Sequence, residues 1–182
     1  AKEVFKETED RIRSMALVHE GLYRSGDISK IDLANYVQDL SASLLASYQL
    51  GSTRVSLQIN AQNVLLPIDK AVPCGLLLNE LLSNSMKHAF PTHTPGTISI
   101  NVRALPGNEI EIHFKDDGIG MAQDFDFETC RTLGLRLVND IARIQLQGTV
   151  ELISKRGTEF KIRFKNETVQ DECSNHLKIN QS

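Results

Sequence analysis

Ile98-Ser99-Ile100-Asn101-Val102, then Pro106-Gly107-Asn108, then Ile110-Glu111-Ile112-His113-Phe114: apolar side chains stand at every second position on both sides of a short turn cluster. A period of two places successive side chains on opposite faces of a pleated strand, so each run reads as a half-buried strand. The Pro-Gly-Asn link is short enough to return the chain antiparallel. Working outward, Val150, Leu152 and Phe160, Ile162, Phe164 alternate around Arg156-Gly157 as a second hairpin. Val55, Leu57 and Ile59 read as a further strand and Val64 to Ile68 as a short one.

Between these strands the period changes to that of a helix. Ile31 to Tyr48 carries Leu33, Val37, Leu40, Leu44 and Leu45 on one side, closed by Gly51-Ser52. Asp69 is placed to cap a helix that runs to Phe90, where Pro91 stops it. Leu133 to Leu146 is a third helix, with Gly148 expected as its C-terminal cap. Ahead of all of these, Phe5, Thr8, Ile12, Met15, His19 and Leu22 recur at spacings of three and four, the seam of a helix that packs lengthwise on others, ended by Ser25-Gly26-Asp27. Strands grouped in hairpins, with helices between the groups, predict an α+β fold: a two-layer α/β sandwich with a mostly antiparallel mixed sheet and helices on one face. The predicted division is 1–26 as an N-terminal helix that packs on other helices, 27–166 as the sandwich, and 167–182 as a polar, mobile tail.

Composition narrows the function classes. At 182 residues the chain holds one domain and a short appendage. A net charge of -3 with no run of Lys and Arg gives no electrostatic track for nucleic acid. Cys74, Cys130 and Cys173 show neither paired spacing nor a zinc pattern, which fits a reducing compartment. The longest apolar run, Leu76 to Leu82, is interrupted by Asn79 and Glu80, so no membrane contact and a cytoplasmic setting are expected.

Four short segments carry candidate chemistry. Glu80, Asn84 and Lys87, spaced four and three apart, share one helix face, while Leu77, Leu81 and Leu82 serve the core. Carboxylate and amide oxygens suit the hard cation Mg²⁺ that travels with a nucleotide triphosphate, and a lysine one turn on can meet phosphate; a solvated helix face is the plain alternative. Asp116-Asp117-Gly118-Ile119-Gly120 follows directly on a strand. Its glycines allow close backbone approach to a flat ligand, and a buried Asp116 carboxylate can accept a hydrogen bond from the exocyclic amine of adenine. Thr132-Leu133-Gly134-Leu135 opens a helix, where free N–H groups and the helix dipole favour a phosphate. Gly157-Thr158 opens the last strand. No helix starts at Gly120 and no G-x-x-x-x-G-K followed by Ser or Thr occurs, so neither a Rossmann nor a P-loop site is read.

The order of these segments resembles the N, G1, G2 and G3 boxes of the GHKL (Bergerat-type) nucleotide-binding superfamily. Within it, Asn79-Glu80-Leu81-Leu82-Ser83-Asn84-Ser85-Met86-Lys87-His88-Ala89-Phe90-Pro91 is similar to the N-E-L-x-x-N-x-x-K-H-A-F-P of sensor histidine kinases of the second HisKA subtype, related to the HWE kinases. Arg11 to Tyr23 resembles the end of that subtype's dimerisation region, so the likeness runs from about Arg11 to Phe164. The resemblance implies ATP and Mg²⁺ as ligands. Asn84 would be the chief Mg²⁺ and phosphate contact, Glu80 a metal ligand or catalytic carboxylate, and Lys87 a phosphate contact. Asp116 would read adenine, with Gly118, Gly120, Leu133, Gly134 and Leu135 cradling the nucleotide and Thr158 bordering the base. His88 would touch nucleotide or serve packing, and Met121 to Thr132 would form a short lid made acidic by Asp124, Asp126 and Glu128.

The family's phosphoacceptor motif, of the form H-H-R-x-K-N-N, does not occur in these residues. It is expected on a helix ahead of the first one. His19 falls on the apolar seam and reads as a packed histidine; His93, His113 and His176 read as incidental. The implied activity is transfer of the ATP γ-phosphoryl to a histidine outside these residues and onward to an aspartate of a response regulator receiver domain, in a homodimer formed through the helical region. Two alternatives stand beside it: an ATP-hydrolysing member of the superfamily of the gyrase, mismatch-repair or heat-shock chaperone kind, and a non-catalytic nucleotide-binding or dimerisation module.

Overall fold

The computed structural model of the chain describes residues 8, 9, 12, 16, 30–48, 55–61, 64–90, 94–122, 125, 127, 132–154 and 156–167. Strand β1 (Lys30–Asp32) leads into helix α1 (Leu33–Tyr48), followed by β2 (Val55–Ala61), β3 (Leu65–Pro67) and helix α2 (Ile68–Asn84). Strands β4 (Gly96–Leu105) and β5 (Glu109–Asp116) form the first hairpin, then come helix α3 (Leu133–Asp140) and the hairpin of β6 (Thr149–Ile153) and β7 (Glu159–Lys165). The main sheet has the order β2-β4-β5-β7-β6, with β2 parallel to β4 and every other pair antiparallel, while β1 and β3 make a separate ribbon. This is the mostly antiparallel mixed sheet expected from the sequence.

The two faces of the sheet differ as the alternation requires. Ile100, Ile112 and Phe114 from the first hairpin, with Phe160 and Ile162 from β7, are buried against α1, α2 and α3. Fully burying such side chains contributes about 2 kcal/mol each relative to exposure. The opposite face is polar. Glu111, 3% exposed, is held there between Arg103 and Arg163, whose Nε atoms donate to its oxygens at 2.8 and 2.7 Å. His113 Nε2 meets Glu159 Oε1 at 2.8 Å on that same side, with Lys115 and Lys161 nearby.

Several local expectations need correction. Helix α1 starts at Leu33, not Ile31, because Lys30–Asp32 pairs with β3 and the Asp32 carboxylate accepts the N–H groups of Ala34 and Asn35 at 2.9 and 3.4 Å. The expected strand from Val64 to Ile68 contracts to Leu65–Pro67. Asp69 does not cap α2: the N-cap is Pro67, without a side-chain cap, and Asp69 lies in the first turn, where its charge still complements the helix dipole. Neither α2 nor α3 keeps α geometry at its C-terminal end. Beyond Asn84 the chain widens into a π turn over Ser85–Ala89, and beyond Asp140 into another over Ile141–Gln145. The C-terminal cap of the latter is Leu146, and the left-handed residue after it is Gln147, at φ 54°, rather than Gly148. Gly148 donates to Ala142 O at 2.8 Å and lacks a Cβ because one would overlap the Arg163 carbonyl.

Of the first helix, Thr8, Glu9, Ile12 and Ala16 are helical. Met15, His19, Leu22, the Ser25-Gly26-Asp27 stop, the Gly51-Ser52 stop, Pro91 and the tail from Thr168 onward lie outside the described residues.

Candidate functional site

The cleft lies where the last turns of α2, the end of β5, the start of α3 and the β6–β7 turn converge. Asp116 is the last residue of β5 and is 1% exposed. Its backbone N–H donates to Thr158 O at 2.9 Å, fixing the strand end to the β6–β7 turn. Its carboxylate is already largely engaged: Oδ1 accepts from the N–H groups of Gly118 and Thr158, each at 3.1 Å, and Oδ2 accepts from Ser85 Oγ at 2.7 Å. A carboxylate offers about four acceptor positions, so Oδ2 retains one for a donor in the cleft. Phe114, Phe160, Leu81, Leu135 and Thr158 line the space in front of it, an apolar slot with one polar corner suited to a flat heterocycle that carries an amine.

Asp117 takes no part, since its carboxylate accepts Thr97 N at 2.6 Å and so binds β4. Of the two glycines in this turn, Gly120 adopts φ 72° and lines the cleft. Gly118 does not line it. A Cβ there would overlap the Ala89 carbonyl, which also accepts Ile119 N at 2.9 Å, so this glycine lets the turn close on the end of the helix.

The other end of the cleft is polar. Asn79, Glu80, Ser83, Asn84, Lys87 and His88 supply one wall, and Thr132, Leu133 and Gly134 at the start of α3 supply the other. Asn84, His88 and Thr132 border both ends, so the amide of Asn84 and the carboxylate of Asp116 open on one continuous cleft. Gly134 lies so close that a Cβ on it would stand 3.0 Å from Glu80 Oε2 and 3.4 Å from Asn84 Nδ2. Asn84 Nδ2 is buried without a hydrogen-bond partner, as is Asn79 Oδ1; buried polar atoms left in this condition are costly and mark places where a ligand, ion or water completes the set. At the start of α3 no side chain caps the helix, which leaves its first N–H groups facing the same space.

Of the residues given a nucleotide or metal role in the sequence, all but Gly118 therefore line the cleft: Asp116, Gly120, Leu135 and Thr158 at the apolar end, Glu80, Lys87, Leu133 and Gly134 at the polar end, and Asn84 and His88 at both. Sequence reasoning missed Ser85. The available signal was a serine four residues after Leu81, on the buried side of the helix, where a hydroxyl needs a partner. The lid carboxylates Asp124, Asp126 and Glu128, together with His93 and His176, lie outside the described residues. Of the lid, Phe127 stacks edge-on against Phe160 with centroids 5.6 Å apart.

Away from the cleft, burial would raise the carboxyl of Glu111, but the hydrogen bonds from Arg163 and Arg103 overcome it and hold the group below its ordinary value. Glu159 is lowered in the same way by His113. Burial pushes the Cys74 thiol far up, which leaves it inert.

Comparison with known proteins agrees with this geometry. Residues 69–168 match the family described as "Histidine kinase-, DNA gyrase B-, and HSP90-like ATPase", and residues 1–48 match one described as "Histidine kinase". The sensor histidine kinase PdtaS of Mycobacterium tuberculosis is 29% identical over 168 residues, covering 89% of this chain and 32% of that protein. The blue-light-activated histidine kinase 2 of Erythrobacter litoralis is 25% identical over 152 residues, covering 81% of this chain and 43% of that protein. This chain thus spans less than half the length of either relative. In fold, it superposes on the histidine kinase domain of the Erythrobacter litoralis EL346 blue-light activated histidine kinase with a TM-score of 0.76 at 23% identity, over 88% of this chain and 75% of that one. Among the described residues no helix is long and apolar enough to cross a membrane. With its hundred-residue family match laid over the cleft just described, the chain belongs to the histidine kinase-, DNA gyrase B- and HSP90-like ATPase family.

Proposed function

We propose that this domain binds Mg-ATP across the cleft and presents the γ-phosphoryl to a histidine outside these residues, from which it passes to a response regulator aspartate. One observation carries the reading: the orphaned amide of Asn84 and the engaged carboxylate of Asp116 border one cleft, polar at the first and apolar at the second. Asp116 Oδ2 accepts the exocyclic amine of adenine, Thr158 and Gly120 flank the ring, and Gly118 keeps the turn seated. Asn84 gives its oxygen to the cation and its free N–H to a phosphate oxygen. Lys87 and the N–H groups of Leu133, Gly134 and Leu135 balance the remaining phosphate charge, and His88 borders the sugar and phosphates.

The donor set fits Mg²⁺. Among the described residues no trio of His, Cys, Asp or Glu forms an all-protein cage, and this cation is commonly held by one or two protein oxygens, here Asn84 and Glu80, with phosphate and water completing its shell. When bound it supplies charge neutralisation between the phosphates. In the transfer, the bond from the γ-phosphorus to the bridging oxygen breaks, ADP keeps the electron pair, and a phosphorus–nitrogen bond forms to the imidazole, which sheds its proton. The chain's contribution is alignment and charge stabilisation. Residues 1–26 belong to a helical dimerisation region, 27–166 to the catalytic domain and 167–182 to a tail, in a cytoplasmic homodimer.

Calorimetric titration with Mg-ATP, followed by histidine phosphorylation in a polypeptide that carries the acceptor, tests this reading. Binding and transfer are expected; absence of binding overturns it. Glu80, which opens on the phosphate end, favours one competing reading, an ATPase in which that carboxylate activates water. Steady phosphate release by the chain alone, lost in Glu80→Ala, would establish that alternative.

A further inference from the structure

Helix α1 occupies two roles at once. Its residues fall within the 1–48 match to the family described as "Histidine kinase", yet it packs on α2, the helix that walls the cleft. Most of that packing is apolar, through Val37, Leu40 and Leu44, and apolar contact by itself tolerates small slides of one helix along the other. Two features remove that freedom. Near the start of the contact, Tyr36 lies over Gly75 so closely that any Cβ there would overlap the phenol oxygen. At its far end, the last residue of α1, Tyr48, shares a hydrogen bond with Ser83 Oγ at 2.7 Å. A hydrogen bond is directional, so this second contact fixes where α2 ends relative to α1.

Ser83 is no ordinary anchor point. It is 6% exposed and lines the phosphate end of the cleft beside Asn79, Glu80 and Asn84. A displacement of the end of α1 that broke or kept the Tyr48 contact would therefore act on the wall that holds the two phosphate-side residues. The adenine end is built instead from β5, the β6–β7 turn and Ser85.

We infer that Tyr48 and Ser83 are a pair of positioning residues that couple helix α1 to the phosphate end of the cleft, setting the alignment of Glu80 and Asn84 for phosphoryl transfer. This rests on the functional reading above. Neither residue touches the nucleotide through this bond; the pair acts on the residues that do.

The test compares wild type, Tyr48→Phe, Ser83→Ala and the double variant in the polypeptide that carries the phosphoacceptor histidine, measuring the Mg-ATP dissociation constant, the single-turnover rate of histidine phosphorylation and the melting temperature. Tyr48→Phe removes one oxygen from a half-buried ring and so preserves the fold. Each single variant is expected to slow transfer about fivefold, the effect of one ordinary hydrogen bond, with the dissociation constant within about twofold of wild type. The double variant should be no slower than the slower single one. Unchanged rates, additive losses, or a loss of affinity that accounts for the slower rate would each overturn the inference. A wild type that binds Mg-ATP and transfers phosphoryl while Tyr48→Phe matches it rejects the coupling alone; a wild type that does neither rejects the functional reading itself.

Discussion

The two ends of the cleft are built on different principles. At the adenine end, Asp116 is held by Ser85, Gly118 and Thr158 before any ligand arrives, behind a slot lined by Leu81, Phe114, Leu135 and Phe160. At the phosphate end, Asn84 Nδ2 and Asn79 Oδ1 are buried and unpaired, against the unobstructed approach of Gly134. The first end is part of the fold and, under the proposed function, reads the ligand with one spare acceptor position. The second carries an unmet cost that, under the proposed function, the ligand removes. It follows that substitutions at the adenine end should injure folding and binding together, and those of the phosphate-end residues aimed at the ligand, Asn84 first, should injure binding with little effect on folding.

The largest expected effect tests the phosphate end. Asn84→Asp places a carboxylate where phosphate oxygens must come and removes the free N–H, so Mg-ATP affinity should fall on the order of a hundredfold. The melting temperature should barely move, because that N–H has no partner to lose. Calorimetry alongside a thermal melt decides it, and a large drop in melting temperature would break the contrast between the ends. Next, Asp116→Ala strands three donors that now share the carboxylate. Stability should drop by about 3 kcal/mol in denaturant titration, and adenine nucleotides should lose affinity without a change in how ATP is ranked against ADP. Equal losses for guanine nucleotides would contradict the role given to the spare acceptor.

A smaller effect sharpens the picture at Ser85. Ser85→Ala frees a second acceptor position on Asp116 Oδ2 and loosens the carboxylate, so ATP affinity should fall about fivefold, with selectivity against GTP falling in parallel in competition binding. The smallest effect lies on the far face of the sheet. Glu111, whose carboxyl Arg163 and Arg103 hold below its ordinary value against the opposing effect of burial, contributes stability that is present above its unfolded pKa of about 4.3 and is lost as pH falls through the lower folded value. Thermal melts should therefore show a decline below about pH 4 that Glu111→Gln flattens, with Mg-ATP binding at neutral pH unaltered. A loss of binding there would mean that the outer face reports to the cleft after all.

The strands were legible because alternation is a local property. Ile98 to Phe114 and Val150 to Phe164 each announce which side is buried, and β2, β4, β5, β6 and β7 form where the pattern puts them. Element ends were less legible. Asp69 was a sound cap by type, but β3 runs straight into α2 and leaves that position to Pro67. Gly148 has the composition of a C-cap, but Gln147 takes the left-handed conformation because Gly148 is needed against Arg163. In both cases a contact with a distant strand or ribbon overrode a local preference.

By itself the sequence determined the α+β class, the two hairpins, the helix face of Glu80, Asn84 and Lys87, and the choice of cleft residues through the order of four short segments. Periodicity and motif order are written along the chain and survive without coordinates. Only the tertiary structure decided that β2 runs parallel to β4, that Asp116 rather than Asp117 faces the cleft, that Ser85 completes its carboxylate, and that Tyr48 reaches Ser83. Each of these depends on a partner at least twenty residues away in the chain, and hydrogen bonds of that span exist only once the apolar faces have brought the segments together.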